Sequence, residues 1–483
     1  MKKVILFIIL LVVLINCGDS NPIIDNQKSE VVDTVINDPK IEGVYIESLN
    51  QWSCGSKLRG KYISDNQILI NWDIHERELN ISEFRVLRKA WHEQEFKLVK
   101  TLPPNSLSFQ DNNLPTSIKN VWHYVVYADK KDKAASSSSQ ITIWKMNDYY
   151  NQPTTYFLNN TKLWVTNAPG NSLSPESRFC LTDLKGWSQL SERTDGIMFY
   201  RNSIREATQA EINNLRDIKK NHQIKIGMET GGFQFVTETN LDELGEKSFE
   251  SELRAIANLT SAGEKLDDIF FDGPIHRALY GGEFTRPRMT ISKASEELTD
   301  MMLLYRNYNP EIKFYLISNF SNWGWKGTPA RNTNNIGEMG FGDYKLVLDT
   351  LLNVANSRGV RFEGISIDYS YEAFLNEGSS NQINVIKDVD YKLRLKELYN
   401  YIKEKEYQFV ISLNSNRGGN SNNIVFKVEV FNYLEELLRM NIVPDQILHQ
   451  SWGKYPDKWI GENDENTFTN IGLKLSEKYK IRK

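Results

Sequence analysis

Three carboxylates close short apolar runs in this chain: Glu229 in QIKIGMETGG (223–232), Asp272 in DDIFFDG (267–273) and Asp368 in GISIDYSY (364–371). An acid at the end of an apolar strand is expensive to bury alone and useful in a pair. One member gives up a proton while the other attacks an electrophilic carbon or activates water. Each position also has a structural use, because a strand-end carboxylate caps the next turn through backbone N–H groups. The Gly273-Pro274 break after Asp272, and Thr230-Gly231-Gly232 after Glu229, suit either use.

Amides, rings and cations close the other apolar runs or follow them. They are Asn167, Tyr200, Arg201, Asn319, Tyr369, Asn414, Asn416, Gln450 and Trp452, with His276 and Arg277 just beyond Asp272. The segment SNFSNWGWKG (318–327) puts Phe320, Trp323 and Trp325 in a glycine-punctuated loop. Loop tryptophans are costly to expose, so they predict either a stacking surface or a cluster that closes on itself. There is no Ser-His-Asp set, no nucleotide loop and no Cys/His spacing of the zinc type, so no cofactor or metal is expected. Asp267 and Asp268 precede their strand and are expected to be turn residues at its far end.

The elements that position these residues form a repeat. Eight apolar runs, at 162–169, 196–202, 223–232, 267–273, 313–320, 364–371, 408–416 and 445–452, alternate with amphipathic stretches at 206–221, 293–308, 343–359, 391–406 and 425–441. Continuous apolar runs are strands buried on both faces. Eight strand–helix units predict an α/β fold, a (β/α)8 TIM barrel over residues 150–483. An open doubly wound sheet is the rival, but Asn167-Ala168-Pro169-Gly170 is not the glycine-rich loop such a sheet carries after its first strand. In a barrel the run ends gather at one mouth, beneath loops at 278–292 and 321–342.

Acids on strands four and six of such a barrel can straddle a glycosidic bond, with ~5–5.5 Å between carboxyls for retention or ~6.5–9.5 Å for inversion. On these residues the barrel resembles a glycoside hydrolase catalytic domain, and its acid placement is similar to that of α-galactosidase-type families. The resemblance implies Asp272 as nucleophile and Asp368 as acid/base, although no Lys-x-Asp approach precedes Asp272. Glu229 leaves a second pairing open. The expected activity is hydrolysis of a polysaccharide or oligosaccharide. The alternatives are a glycan-binding barrel without catalysis and a polysaccharide lyase using Tyr200, Arg201 or His276.

The remainder of the chain reads differently. Lys2-Lys3, the apolar run Val4–Ile15 and Leu14-Ile15-Asn16-Cys17 resemble a lipoprotein signal (1–17), which implies a lipid on Cys17 and a cell-envelope location. An uncleaved signal anchor is the alternative, although the run is shorter than the ~20 residues of a span. Residues 18–40 read as a polar tether. Residues 41–146 carry short strand candidates at 68–74, 83–90, 96–102, 121–128 and 140–146 and predict a β-sandwich. Trp72, Phe84-x-Val86-x-Arg88 and Tyr124-x-Val126-x-Ala128 give that segment a resemblance to a fibronectin type III domain. The chain has 483 residues, a net charge of −4 and no basic stripe, which argues against nucleic acid as a partner. It is 11% aromatic, which suits a carbohydrate partner. If Cys17 carries lipid, Cys54 and Cys180 remain, either as one bridge or as two free thiols.

Overall fold

The structure is a computed structural model. It describes residues 44–48, 58–64, 66–72, 81–90, 95–114, 121–130, 133–137, 141–145, 154, 156–166, 186–233, 241–280, 288–333, 337–375 and 389–483. Cys17, Cys54, Cys180, the apolar leader, the tether at 18–40 and Asn167 lie outside these residues. No helix among the described residues is long and apolar enough to cross a membrane.

The first nine strands are β1 (Val44–Ser48), β2 (Leu58–Ser64), β3 (Gln67–Trp72), β4 (Ile81–Ala90), β5 (Lys97–Leu102), β6 (Ser108–Asp111), β7 (Val121–Lys130), β8 (Lys133–Ser137) and β9 (Ile141–Lys145). They form two antiparallel sheets, β1-β9-β7-β4-β5 with β8 on β7, and β2-β3-β6. One core joins the sheets. Leu58, Ile68, Ile70 and Trp72 pack against Phe84, Val86, Trp122, Tyr124, Val126 and Ile143, with Trp72 and Phe84 ring centroids 5.4 Å apart. The strands not expected from the sequence, β1, β2, β6 and β8, each pair with a single partner. Edge strands bury little, so their alternation is weak. Inside this core the buried Asp111 carboxylate accepts from Arg88 and, at 2.8 Å, from the Tyr124 hydroxyl.

The other eight strands are β10 (Lys162–Thr166), β11 (Gly196–Tyr200), β12 (Lys225–Thr230), β13 (Asp268–Asp272), β14 (Lys313–Ser318), β15 (Phe362–Ile367), β16 (Gln408–Leu413) and β17 (Gln446–His449). They pair in parallel, in chain order, and close into a barrel. This is the TIM barrel expected from the eight apolar runs. Outward residues such as Val165, Ile197, Ile226, Ile269, Phe314, Ile365 and Ile411 belong to the main core under the helices. Inward residues Trp164, Met198, Phe270, Tyr315, Ile317, Val410 and Leu448 form a separate plug. Gly196 and Gly227 make room for its largest member: a Cβ on Gly196 would run into the Trp164 indole, and one on Gly227 would lie 2.6 Å from it.

The helices at 209–222, 291–308, 344–357, 391–404 and 423–439 occupy the stretches read as amphipathic. Among the described residues, two more helices longer than ten residues were not expected, Leu244–Ser261 and Phe468–Lys478. The face that Leu244–Ser261 turns to the core includes Gly245, Ser248 and Glu252, so its apolar stripe is interrupted. At the closed end of the barrel one device recurs. Asp195, Asp267 and Asp445, each just before a strand, accept the backbone N–H of Leu163, Ile226 and Phe409 on the preceding strand at 2.9, 2.8 and 2.7 Å. Asp267 is therefore a turn residue, as expected. Asp268 is not: it is the first residue of β13, faces inward and is fully buried. Burial pushes its carboxyl up to about 7.

Candidate active site

Side chains alternate across a strand, so two steps along each strand from the plug lead to the mouth. From Trp164, Met198, Phe270, Val410 and Leu448 in the plug, and from Gly227 and Ser366 at the same level of the barrel, the count reaches Thr166, Tyr200, Asp272, Ser412 and Gln450, and Glu229 and Asp368. The same count continues from Ser412 to Asn414. Strand register places Tyr200 beside Glu229 and Asp272 beside Ile317. A mouth ringed by polar groups therefore follows from strand parity, above the apolar plug.

The three acids share one space. Burial drives the Glu229 carboxyl well above the usual carboxylate range, and the charges of Asp272 and Asp368 add to the rise while Arg277 opposes it. Burial, then the Asp272 charge, raises Asp368 to about 8, with the Ser412 hydroxyl opposing. Oδ1 of Asp368 is buried and has no hydrogen-bond partner. Tyr200 is raised by burial first and then by the charges of Glu229, Asp368 and Asp272. Gln450 Nε2 donates to the Tyr200 hydroxyl at 2.7 Å.

Asp272 has a different environment. Its Oδ2 accepts from Arg277 Nη2 at 2.6 Å, and Arg277 Nη1 donates to the Gly231 carbonyl at 2.7 Å. Arg277 sits on the short helix Pro274–Tyr280, which starts immediately after the break. Gly273 makes that turn at φ +54°, and a Cβ there would collide with the His276 ring. His276 stacks on Phe341 with ring centroids 4.7 Å apart. Burial and the Arg277 charge hold its imidazole down at about 4, against the pull of Asp272, so it is neutral at physiological pH.

Several residues expected at the mouth are used elsewhere. Arg201 follows the inward Tyr200 and points outward, where Nη1 meets the fully buried Glu252 at 3.2 Å. Tyr369 likewise follows Asp368. Its hydroxyl accepts from Asn332 at 2.9 Å and its ring packs 4.8 Å from Tyr391. Trp325 is 2% exposed, stands edge-on to Phe320 and Tyr401, and donates its indole N–H to Glu397 at 2.8 Å. Trp323 is wedged between Phe341 and Tyr344 at 5.4 and 5.5 Å. The loop tryptophans therefore pack into neighbouring aromatic side chains, and Trp325 is buried among them. Trp323, His276 and Asn319 line a small pocket beside Asp272. Asn319 is exposed and accepts from Ser321 at 2.7 Å, and Trp452 is half-buried after β17.

The sequence reading passed over Thr166 and Ser412, although both lie two residues from a plug residue. It also missed a buried network behind the mouth. Glu429, on the helix Asn423–Arg439, accepts from Arg417 and from the Ser415 hydroxyl, and Glu372 accepts from the Arg417 backbone N–H at 3.1 Å. Arg417 and Glu429 are 2% and 0% exposed. The network ties the turn after β15 to the turn after β16. Burial and the Glu429 charge raise Glu372 to about 7.

No protein-family model matches the chain, and no curated protein matches it. Similar solved structures include the virulence factor SghA from Agrobacterium tumefaciens with its substrate analog salicin, at 11% identity over 66% of this chain and 96% of that one, with a TM-score of 0.34. The β-glucuronidase of Ruminococcus gnavus aligns at 10% identity over 83% of this chain and 61% of its own, with a TM-score of 0.33. Pectate lyase PelI from Erwinia chrysanthemi aligns at 10% identity over 39% and 44%, with a TM-score of 0.15. At these levels of likeness the chemistry of this chain rests on its own mouth residues.

Proposed function

We propose that the barrel mouth hydrolyses a glycosidic bond in a polysaccharide or oligosaccharide, with Asp368 as the proton donor and Asp272 as nucleophile or electrostatic stabiliser. One observation carries this reading. Asp368 and Asp272 face a shared space in unlike environments, the first holding its proton to about pH 8 and the second paired with Arg277. A buried carboxyl that keeps its proton beside one that is ion-paired can divide acid and anionic roles. Glu229, also raised and facing both, holds a hydrogen bond to the substrate or takes the acid role at a second face of the sugar. Screening polysaccharides and oligosaccharides for release of reducing ends, with the wild type and with Asp272→Asn and Asp368→Asn, tests the assignment. Turnover that survives in both variants would remove it.

The ion pair from Arg277 to Asp272 favours a second reading, a mouth that binds glycans without cleaving them, because a paired carboxylate is a weaker nucleophile. That reading expects retention of a polysaccharide with no reducing ends from any variant. With Arg201 engaged by Glu252, the lyase reading is left with Tyr200 and the neutral His276. Around this site we place the sandwich as a fibronectin type III-like spacer and Cys17 as the lipidated residue, a surface lipoprotein arrangement. Mass spectrometry finding residues 1–17 intact in the mature protein would overturn the anchor.

A further inference from the structure

We propose that Asn414 and Gln450 together form a subsite for two neighbouring free hydroxyls of one sugar ring, so that the mouth selects a neutral sugar with an unsubstituted vicinal diol. This rests on the mouth being a glycan site and names what that site recognises. The two amides are 0% and 3% exposed. Neither Nδ2 nor Oδ1 of Asn414 has a partner, and Gln450 Oε1 has none. Buried amides left unpaired are rare in folded proteins and point to a missing partner.

The two side chains stand abreast. β16 and β17 are neighbours with Leu413 opposite His449, and the Gln450 backbone N–H donates to the Leu413 carbonyl at 3.3 Å. The next residue on each strand faces inward, and adjacent strands lie ~4.8 Å apart. Asp368, whose Oδ1 is also unpartnered, is on the next strand.

The backbone around Asn414 is held in place. Its backbone carbonyl accepts from the Tyr371 N–H at 3.1 Å. The following turn is pinned by Ser415 and Arg417 on Glu429 and by the Gly418 N–H on the Ser415 hydroxyl at 2.7 Å. Asn414 offers a donor edge and an acceptor edge, Gln450 offers the acceptor Oε1 while its Nε2 donates to Tyr200, and each sugar hydroxyl can both give and take a hydrogen bond. A vicinal pair therefore satisfies every unpaired atom. A sulfate ester or a carboxylate would present only acceptors to Oδ1 and Oε1 and leave them unpaired.

The test uses the full chain in affinity gels holding α- and β-linked glucans, galactans and mannans. Each polysaccharide is used intact and after periodate cleavage of its vicinal diols followed by borohydride reduction. The expected result is retention by an intact polysaccharide that is lost after periodate treatment. Asn414→Ala and Gln450→Ala should each weaken retention about tenfold or more, in line with the loss of one or two hydrogen bonds. The isosteric Asn414→Asp and Gln450→Glu guard against misfolding in the alanine variants. Retention insensitive to periodate, or unchanged in the amide variants, overturns the proposal. Release of reducing ends is scored separately. Diol-dependent retention without turnover sinks the hydrolase and leaves the subsite, whereas turnover with an unchanged KM in the amide variants sinks the subsite and leaves the hydrolase.

Discussion

Replacing Asp368 with asparagine tests the acid assignment through stability and rate together. The folded-state value of about 8 lies some four pH units above the ordinary 3.8. Between those limits the folded protein holds a proton that the unfolded chain has released, so wild-type stability falls as pH rises from about 4 to about 8. At 1.36 kcal/mol per pH unit, the penalty reaches about 4 kcal/mol at pH 7 and at most about 6 kcal/mol above pH 8. The asparagine side chain of the variant has no proton to lose. Urea unfolding should show wild type and variant matched at pH 4, with the variant increasingly the more stable through pH 8 and a constant gap beyond. The rate follows the same titration. About nine-tenths of Asp368 is protonated at pH 7 and about one-tenth at pH 9, so wild-type turnover should fall nearly tenfold between them. The variant should lose turnover about 10²–10⁴-fold on substrates with poor leaving groups. It should keep much of its rate on dinitrophenyl glycosides, which need no acid, and there the alkaline fall should vanish. A stability difference that does not change with pH, or an alkaline limb that persists in the variant, would refute the argument and move the acid role to Glu229.

Three further predictions concern the frame around the site. Arg417→Met leaves Glu429 buried without its cation, and should cost about 3–5 kcal/mol in urea unfolding while also weakening glycan retention through the freed turn at Asn414. Trp325→Ala should cost about 3–5 kcal/mol yet leave retention of any polysaccharide unchanged, because its ring packs behind the mouth; weakened retention at matched stability would restore it as a platform. Gly273→Ala meets both a positive φ and the His276 ring, and should cost about 1–3 kcal/mol with turnover falling more than for a remote variant of equal stability, as Asp272 and Arg277 are displaced.

The barrel was legible because strands buried on both faces must be apolar along their whole length, and all eight such runs became strands in chain order. The acids were legible for a related reason: a charge at the end of such a run stands out against it. Strand parity is also readable in a sequence, and it separates Arg201 and Tyr369 from Asp272, since each is one residue past an inward neighbour. The expectation that both line the mouth followed from their place at the run ends alone. Helix Leu244–Ser261 was missed because Glu252 occupies its buried face, and its justification, Arg201, lies far away in sequence.

The sequence by itself determined the architecture and the three carboxylates, since hydrophobic periodicity and the location of charge are local properties that survive without coordinates. Only the tertiary structure decided which partners those charges have. Asp272 meets Arg277, Asp368 is left with an unpaired oxygen, and Trp325 turns its indole to Glu397 instead of the mouth. Proton affinity and ring exposure depend on what burial brings within a few ångströms, and that is set by the closure of the barrel and the packing of its helices.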